Sequence, residues 1–114
     1  MKIGVLGAGG WALGLAILLN NNGHKVTVWS KVKAEIDGIR ETGENTRCLP
    51  GVKIPENIEL TLDLEKTAKD NELLVMAVAS PFVRSTAHEL AGLNIKNLSI
   101  VNVAKGLKSR PCIQ

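Results

Sequence analysis

The stretch that decides the fold is Lys2-Ile3-Gly4-Val5-Leu6-Gly7-Ala8-Gly9-Gly10-Trp11-Ala12. Its first five residues predict a short buried strand, and the glycines that follow have the G-x-G-x-x-[GA] spacing of a turn that cradles a dinucleotide pyrophosphate. Gly7 permits the tight turn, Gly9 lets the backbone approach the phosphates, and Ala12 allows close packing of helix on strand. We expect the following helix to direct unpaired N–H groups and its positive dipole end at the pyrophosphate.

A second strand is predicted over Lys25–Trp29, after the helix stop Asn22-Gly23. Strand, helix and strand thus fit within the roughly 30 residues of a βαβ unit. The residues after the second strand govern cofactor choice, because an NAD-specific site has an Asp or Glu there for the ribose 2′-OH. This chain has Ser30-Lys31-Val32-Lys33, with a hydroxyl, two cations and no acid. The pattern favours NADP(H) over NAD(H), unless Lys31 and Lys33 only solvate the next helix.

Composition excludes several other classes of protein. The chain has 114 residues and a formal net charge of +3, and no basic stripe alternates with aromatic residues, so nucleic-acid binding is not expected. Cys48 and Cys112 lack ligand-like spacing to His24 or His88, so no metal site is predicted. Two isolated thiols without a targeting segment fit a reducing cytoplasm. The uncharged stretch between Lys2 and His24 contains too many glycines and asparagines for membrane insertion or a signal peptide.

The rest of the chain alternates strands and helices. Helices are predicted over 34–42 and 64–69 and from Ser80-Pro81 onward, and strands over 58–61, 73–78 and 98–103. This alternation, with apolar strands, predicts an α/β fold: one Rossmann-type dinucleotide-binding domain over 1–114, with a doubly wound parallel sheet. A complete fold of this kind has six strands, and only about five are predicted. We therefore expect the chain to be truncated before a C-terminal domain.

Three turns are expected at the carboxyl ends of the predicted strands. They are the glycine-rich turn, the Ala79-Ser80 turn and the Ala104-Lys105 turn. Ligands of open α/β sheets bind at that edge. Lys105 is therefore a candidate to meet a phosphate or carbonyl oxygen. The alternative is that it is a surface lysine in the turn before Gly106.

Four segments of the chain carry specific patterns: Gly7–Ala16, Asn22–Trp29, Glu44–Pro55 and Ala104–Leu107. In the same order they match the patterns G-x-G-[SA]-W-G-T-A-L-A, N-G-H-x-V-x-[LV]-W, E-N-x-x-[YF]-L-P-x-[VI]-x-[LI]-P and [AT]-K-G-[LIF], with a few departures. With these patterns the chain resembles the N-terminal domain of bacterial NAD(P)-dependent glycerol-3-phosphate dehydrogenase. The last two patterns are much more specific than the glycine pattern, and the resemblance covers essentially the whole chain. This chain departs from the family at Gly10 (usually Ser), Cys48 (usually aromatic) and Ala79 (usually Pro).

The resemblance implies an oxidoreductase that reduces dihydroxyacetone phosphate to sn-glycerol 3-phosphate with NAD(P)H, feeding phospholipid synthesis. It further implies that Gly10, Trp11 and Lys31 contact the cofactor and that Lys105 meets both cofactor and substrate. In that family the proton-transferring lysine lies in a C-terminal helical domain. We therefore expect this chain to bind cofactor but to catalyse nothing alone, and a homodimer of the full-length protein is compatible with the resemblance. Motif and resemblance together give the expected cofactor-binding set: Gly7, Gly9, Gly10, Trp11, Ala12, Ser30, Lys31 and Lys105.

Two other functions stay open at this point. A 3-hydroxyacid or 6-phosphogluconate dehydrogenase has the same kind of N-terminal module, but lacks the Glu44–Pro55 and Ala104–Leu107 patterns. A non-enzymatic nucleotide-sensing domain usually keeps an acid after the second strand and has no need of Lys105.

Overall fold

The computed structural model describes residues 1–45, 51–78, 80–93 and 99–102. Within these ranges the elements follow one another as strand and helix in strict alternation. The strands are β1 (Lys2–Leu6), β2 (Lys25–Trp29), β3 (Glu59–Thr61), β4 (Leu73–Met76) and β5 (Ser99–Asn102). The helices are α1 (Gly10–Asn21), α2 (Lys33–Thr42), α3 (Leu64–Asp70) and α4 (Ser80–Ala91).

The five strands form one parallel sheet in the order β3-β2-β1-β4-β5. The chain starts at the centre, runs outward to β3, and then crosses back to β4 on the other side of β1. This reversal produces a topological switch point at the carboxyl ends of β1 and β4, where open α/β sheets bind their ligands. The prediction of a doubly wound parallel sheet is confirmed.

Alternate residues of the strands pack on opposite faces of the sheet. On one face Ile3 and Val5 of β1 are buried together with Leu13 of α1 and Ile39 of α2. On the other face Leu6 is buried in a cluster with Trp29, Ala68, Leu74, Met76, Val78 and Leu90. Burying a side chain of this size stabilises a fold by roughly 1.5–3 kcal/mol. The central strand is thus covered on both sides, and only its ends are available to a ligand.

Several element bounds differ from the predicted ones by one or two residues. Asp63 caps α3 as its N-terminal residue, accepting a hydrogen bond from the Lys66 amide at 3.1 Å. β4 ends at Met76 rather than at Val78, although the Ala77 amide still donates to the Leu6 carbonyl at 3.0 Å. Ala77 and Val78 are buried although they lie beyond the end of β4, so the buried apolar segment is longer than the strand.

Candidate functional site

The glycine-rich turn joins the ends of the three central strands. Gly7 has a φ of +135°, a conformation that favours glycine, and its amide donates to the Trp29 carbonyl at 2.6 Å. A Cβ on Gly7 would lie 2.7 Å from the Ala77 carbonyl oxygen. The tight turn that the motif predicts is present. The close approach of Gly7 to the end of β4 is a second requirement for glycine, which the motif alone does not reveal.

Helix α1 presents its N-terminus directly after this turn. Gly9 is the N-cap, has no side chain to occupy the helix end, and accepts from the Leu13 amide at 3.0 Å. Helix geometry leaves the first amides, those of Gly10, Trp11 and Ala12, without partners inside the helix. The first turn contains no acidic residue, so the chain does not neutralise its positive end. These donors fit a dinucleotide pyrophosphate.

Trp11 and Ala12 face opposite environments on that first turn. Trp11 is 45% exposed beside the helix N-terminus, whereas Ala12 is fully buried. Ala12 belongs to the apolar cluster that includes Val5 and Val28. The small third residue of the motif therefore packs helix on sheet, as expected, and the exposed indole is available to a ligand bound at the turn.

Asn45 supports the glycine-rich turn from a distant position in the chain, a contact that the sequence does not predict. Its side-chain amide donates to the Ala8 carbonyl at 2.8 Å, and the residue is only 8% exposed. The contact joins positions 37 residues apart. Asn45 belongs to the Glu44–Pro55 pattern, which indicates a family but predicts no contact for this residue. Asn45 is thus a positioning residue for the glycine-rich turn.

A carboxylate from helix α2 lies at the end of β2. Ser30 is 3% exposed, and its Oγ donates to Glu35 Oε1 at 2.8 Å while accepting from the Val32 amide at 3.1 Å. Glu35 lies in the first turn of α2. The four residues directly after the strand, Ser30–Lys33, contain no acid themselves. The helix returns a carboxylate to the strand end.

Lys31 lies beside this group and faces helix α4. Its Nζ is 3.8 Å from Glu89 Oε1, and both side chains are about half exposed. An exposed pair of this kind contributes little, about 0–1 kcal/mol, so a bound anion can compete for the lysine. The two residues border an open cleft of about 570 Å³, whose other lining residues include Trp29, Lys33, Leu62 and Leu93.

The structure brings seven of the eight predicted cofactor residues to one edge of the sheet. Gly7, Gly9, Gly10, Trp11 and Ala12 follow β1, and Ser30 and Lys31 follow the neighbouring β2. The eighth, Lys105, lies outside the described residues, as do Cys48, Cys112 and Ala79. β5 ends at Asn102, in register with Met76 at the same edge.

Two kinds of feature are absent from the described residues. No group of three or more His, Cys, Asp or Glu side chains there could hold a metal ion. None of the helices in that part of the chain is long and apolar enough to cross a membrane.

Comparisons with known proteins agree with this geometry. Glycerol-3-phosphate dehydrogenase [NAD(P)+] of Agathobacter rectalis is 46% identical over 107 residues, covering 94% of this chain and 32% of the relative. The enzyme of the same name from Fusobacterium nucleatum is 42% identical, covering 95% and 32%. The crystal structure of glycerol-3-phosphate dehydrogenase from Coxiella burnetii has a TM-score of 0.79 at 27% identity, covering 94% of this chain and 34% of that one.

The chain spans about a third of the length of these curated relatives. The names of the relatives agree with the predicted choice of NAD or NADP as cofactor. The family described as NAD-dependent glycerol-3-phosphate dehydrogenase N-terminus matches residues 2–112. The chain therefore belongs to the N-terminal domain family of the NAD-dependent glycerol-3-phosphate dehydrogenases.

Proposed function

We propose that this chain is the dinucleotide-binding part of an enzyme that reduces dihydroxyacetone phosphate to sn-glycerol 3-phosphate with NADH or NADPH. The observation that carries the proposal is the N-terminus of α1, which has no acidic residue in its first turn and follows a glycine-rich turn at the switch point of the sheet. A dinucleotide pyrophosphate is the ligand that such an arrangement binds. The family match over residues 2–112 supports the substrate class.

Each residue of the proposed site has a limited task. The amides of Gly10, Trp11 and Ala12 hold the pyrophosphate, and Gly7 fixes the direction in which α1 points. Asn45 restrains the carbonyl of Ala8 and so keeps the turn in one conformation. When bound, the nicotinamide cofactor supplies the hydride, which protein side chains cannot provide. The described residues therefore have the task of binding the cofactor and orienting it.

The proposed role of Lys105 rests on its position in the sequence. It follows the fifth strand of the sheet by three residues. Its ammonium is proposed to meet both cofactor and substrate, where a compact cation stabilises a phosphate or a carbonyl oxygen. The group that transfers the proton is proposed to lie outside this chain, in the two thirds of the relatives that the chain does not match. We also propose that the full-length enzyme acts in the cytoplasm as a homodimer.

A chimeric enzyme tests the proposed function. Residues 1–114 replace the corresponding third of the Agathobacter rectalis protein, whose matched region is 46% identical. We expect the chimera to oxidise NADH or NADPH when dihydroxyacetone phosphate is added, and the 114-residue chain alone to give no turnover at any concentration. The unaltered relative is the control for folding and assay. A folded chimera that binds cofactor but does not reduce dihydroxyacetone phosphate would contradict the proposed substrate. Turnover by the 114-residue chain alone would contradict the proposal that the proton-transferring group lies outside this chain.

A further inference from the structure

We propose that Glu35 selects the cofactor: its carboxylate accepts the ribose 2′-OH and repels a 2′-phosphate, so that this chain binds NADH in preference to NADPH. The inference deepens the proposed function and rests on it. It reverses the preference that Ser30, Lys31 and Lys33 suggest when the sequence is considered alone. It gives Glu35 the task that an acid at the end of the second strand performs in NAD-specific sites.

The hydrogen bonds of Ser30 determine where the Glu35 carboxylate lies. A serine hydroxyl has one proton to donate, and its oxygen already accepts from the Val32 amide at 3.1 Å. The proton is therefore directed at Glu35 Oε1, 2.8 Å away. Because Ser30 is buried at the end of β2, it anchors the carboxylate there. The hydroxyl that the sequence offered to a 2′-phosphate is thus already used within the protein.

The anchored carboxylate keeps capacity for a ligand. A carboxylate has two oxygens with about four acceptor positions, and a single hydrogen bond from Ser30 uses one of them. Glu35 is only partly buried, so its side chain still reaches solvent. A ribose 2′-OH is a donor and matches the remaining positions. A phosphate monoester carries about −1.5 to −2 charges at neutral pH and would face a like charge.

The lysines of this segment do not outweigh the acid. Lys31 is 3.8 Å from the Glu89 carboxylate, and Lys33 is the first residue of α2. Lys31, Lys33 and Glu89 line the cleft, and the Glu35 carboxylate lies at the end of β2. Two cations in this region are therefore matched by two anions. The formal charge of these four side chains sums to zero, and Glu35 is the one that is hydrogen-bonded to Ser30, the residue directly after β2.

The test measures the dissociation constants of the chain for NADH and NADPH by nicotinamide fluorescence, before and after Glu35→Gln. Glutamine keeps the size of the side chain and an oxygen for the Ser30 hydroxyl, but has no charge. We expect the unaltered chain to bind NADH more tightly, and Glu35→Gln to shift the ratio of the two constants toward NADPH by about tenfold or more, the equivalent of about 1.4 kcal/mol. The matched control is Glu41→Gln, an exposed acid of the same helix, which should leave the ratio unchanged.

The outcomes separate this inference from the function on which it rests. If both cofactors bind and Glu35→Gln leaves the ratio as it was, or if Glu41→Gln shifts it equally, the role of Glu35 is overturned while the proposed function stands. A preference of the unaltered chain for NADPH also overturns the inference, but it leaves the proposed function standing. If neither cofactor binds to the folded chain, the proposed function fails, and the inference fails with it. Thermal unfolding of each variant verifies that the proteins compared are folded.

Discussion

Replacing Gly7 by alanine is expected to lower the free energy of unfolding by roughly 2–6 kcal/mol, the sum of a strained backbone and an overpacked contact. The backbone φ of +135° is one that residues with a Cβ rarely adopt. The new Cβ would also lie 2.7 Å from the Ala77 carbonyl oxygen, which belongs to backbone and does not swing aside. A domain is stable by only about 5–15 kcal/mol, so this one methyl group removes a large share of it. Urea unfolding of the chain measures the loss.

Gly14→Ala is the matched control for that experiment. Gly14 lies inside helix α1, is exposed, and has nothing within 4 Å of an added Cβ. Alanine is a better helix former than glycine by roughly 0.8–1 kcal/mol, so this variant should be slightly more stable than the parent. The same chemical change therefore has opposite signs at two positions seven residues apart. If both variants unfold at the same urea concentration, the described geometry of the turn is incorrect.

Lys105→Ala, made in the chimeric enzyme, is expected to reduce kcat/KM by at least about tenfold. A lost contact between an ammonium and a phosphate or carbonyl oxygen is worth about 1.5–3 kcal/mol, and each 1.4 kcal/mol corresponds to a factor of ten. Stability should change little, because a charged side chain contributes little to an apolar core. Steady-state kinetics with dihydroxyacetone phosphate and thermal unfolding of the same samples provide the two readouts.

Two further variants identify the chemistry of that lysine. Lys105→Arg should restore little activity, because a planar guanidinium does not replace a compact ammonium. Lys25→Ala is the control, since Lys25 is exposed at the amino end of β2, at the edge opposite the proposed site. An unchanged kcat/KM in Lys105→Ala would assign Lys105 to the surface. Equal losses in Lys105→Ala and Lys25→Ala would show an effect of overall charge rather than of position.

Local sequence patterns predict the regular elements of the described residues to within one or two residues. β1 and β2 have the predicted bounds, because each is a short apolar run closed by glycine or polar residues. β3 begins one residue later than predicted and β4 ends two residues earlier, although Ile58, Ala77 and Val78 outside these strands are buried. The predicted ends of β5, residues 98 and 103, lie outside the described residues. Hydrophobicity reports burial, and strand length depends additionally on where the neighbouring strand stops pairing.

The site was predictable where one segment forms it and unpredictable where distant segments meet. The glycine-rich turn and the start of α1 are contiguous in the sequence, so the spacing of the glycines is enough to predict both. Asn45 reaches Ala8 across 37 residues, and Glu35 reaches Ser30 from the next helix. Neither contact follows from spacing, because each depends on how a helix is oriented on the sheet. The preference for NADP(H) that the sequence suggests leaves Glu35 out for this reason.

Amide NMR of the isotope-labelled chain, titrated with NADH, tests most directly whether a dinucleotide binds at the turn before α1. The account predicts saturable shifts concentrated at the amides of Gly9, Gly10, Trp11 and Ala12, with further shifts over residues 30–35. Amides at the opposite edge of the sheet, such as that of Glu72, which donates to the Lys2 carbonyl at 2.9 Å, should not move. Saturable shifts at that opposite edge, or none at the turn at cofactor concentrations that saturate a relative, would contradict the account.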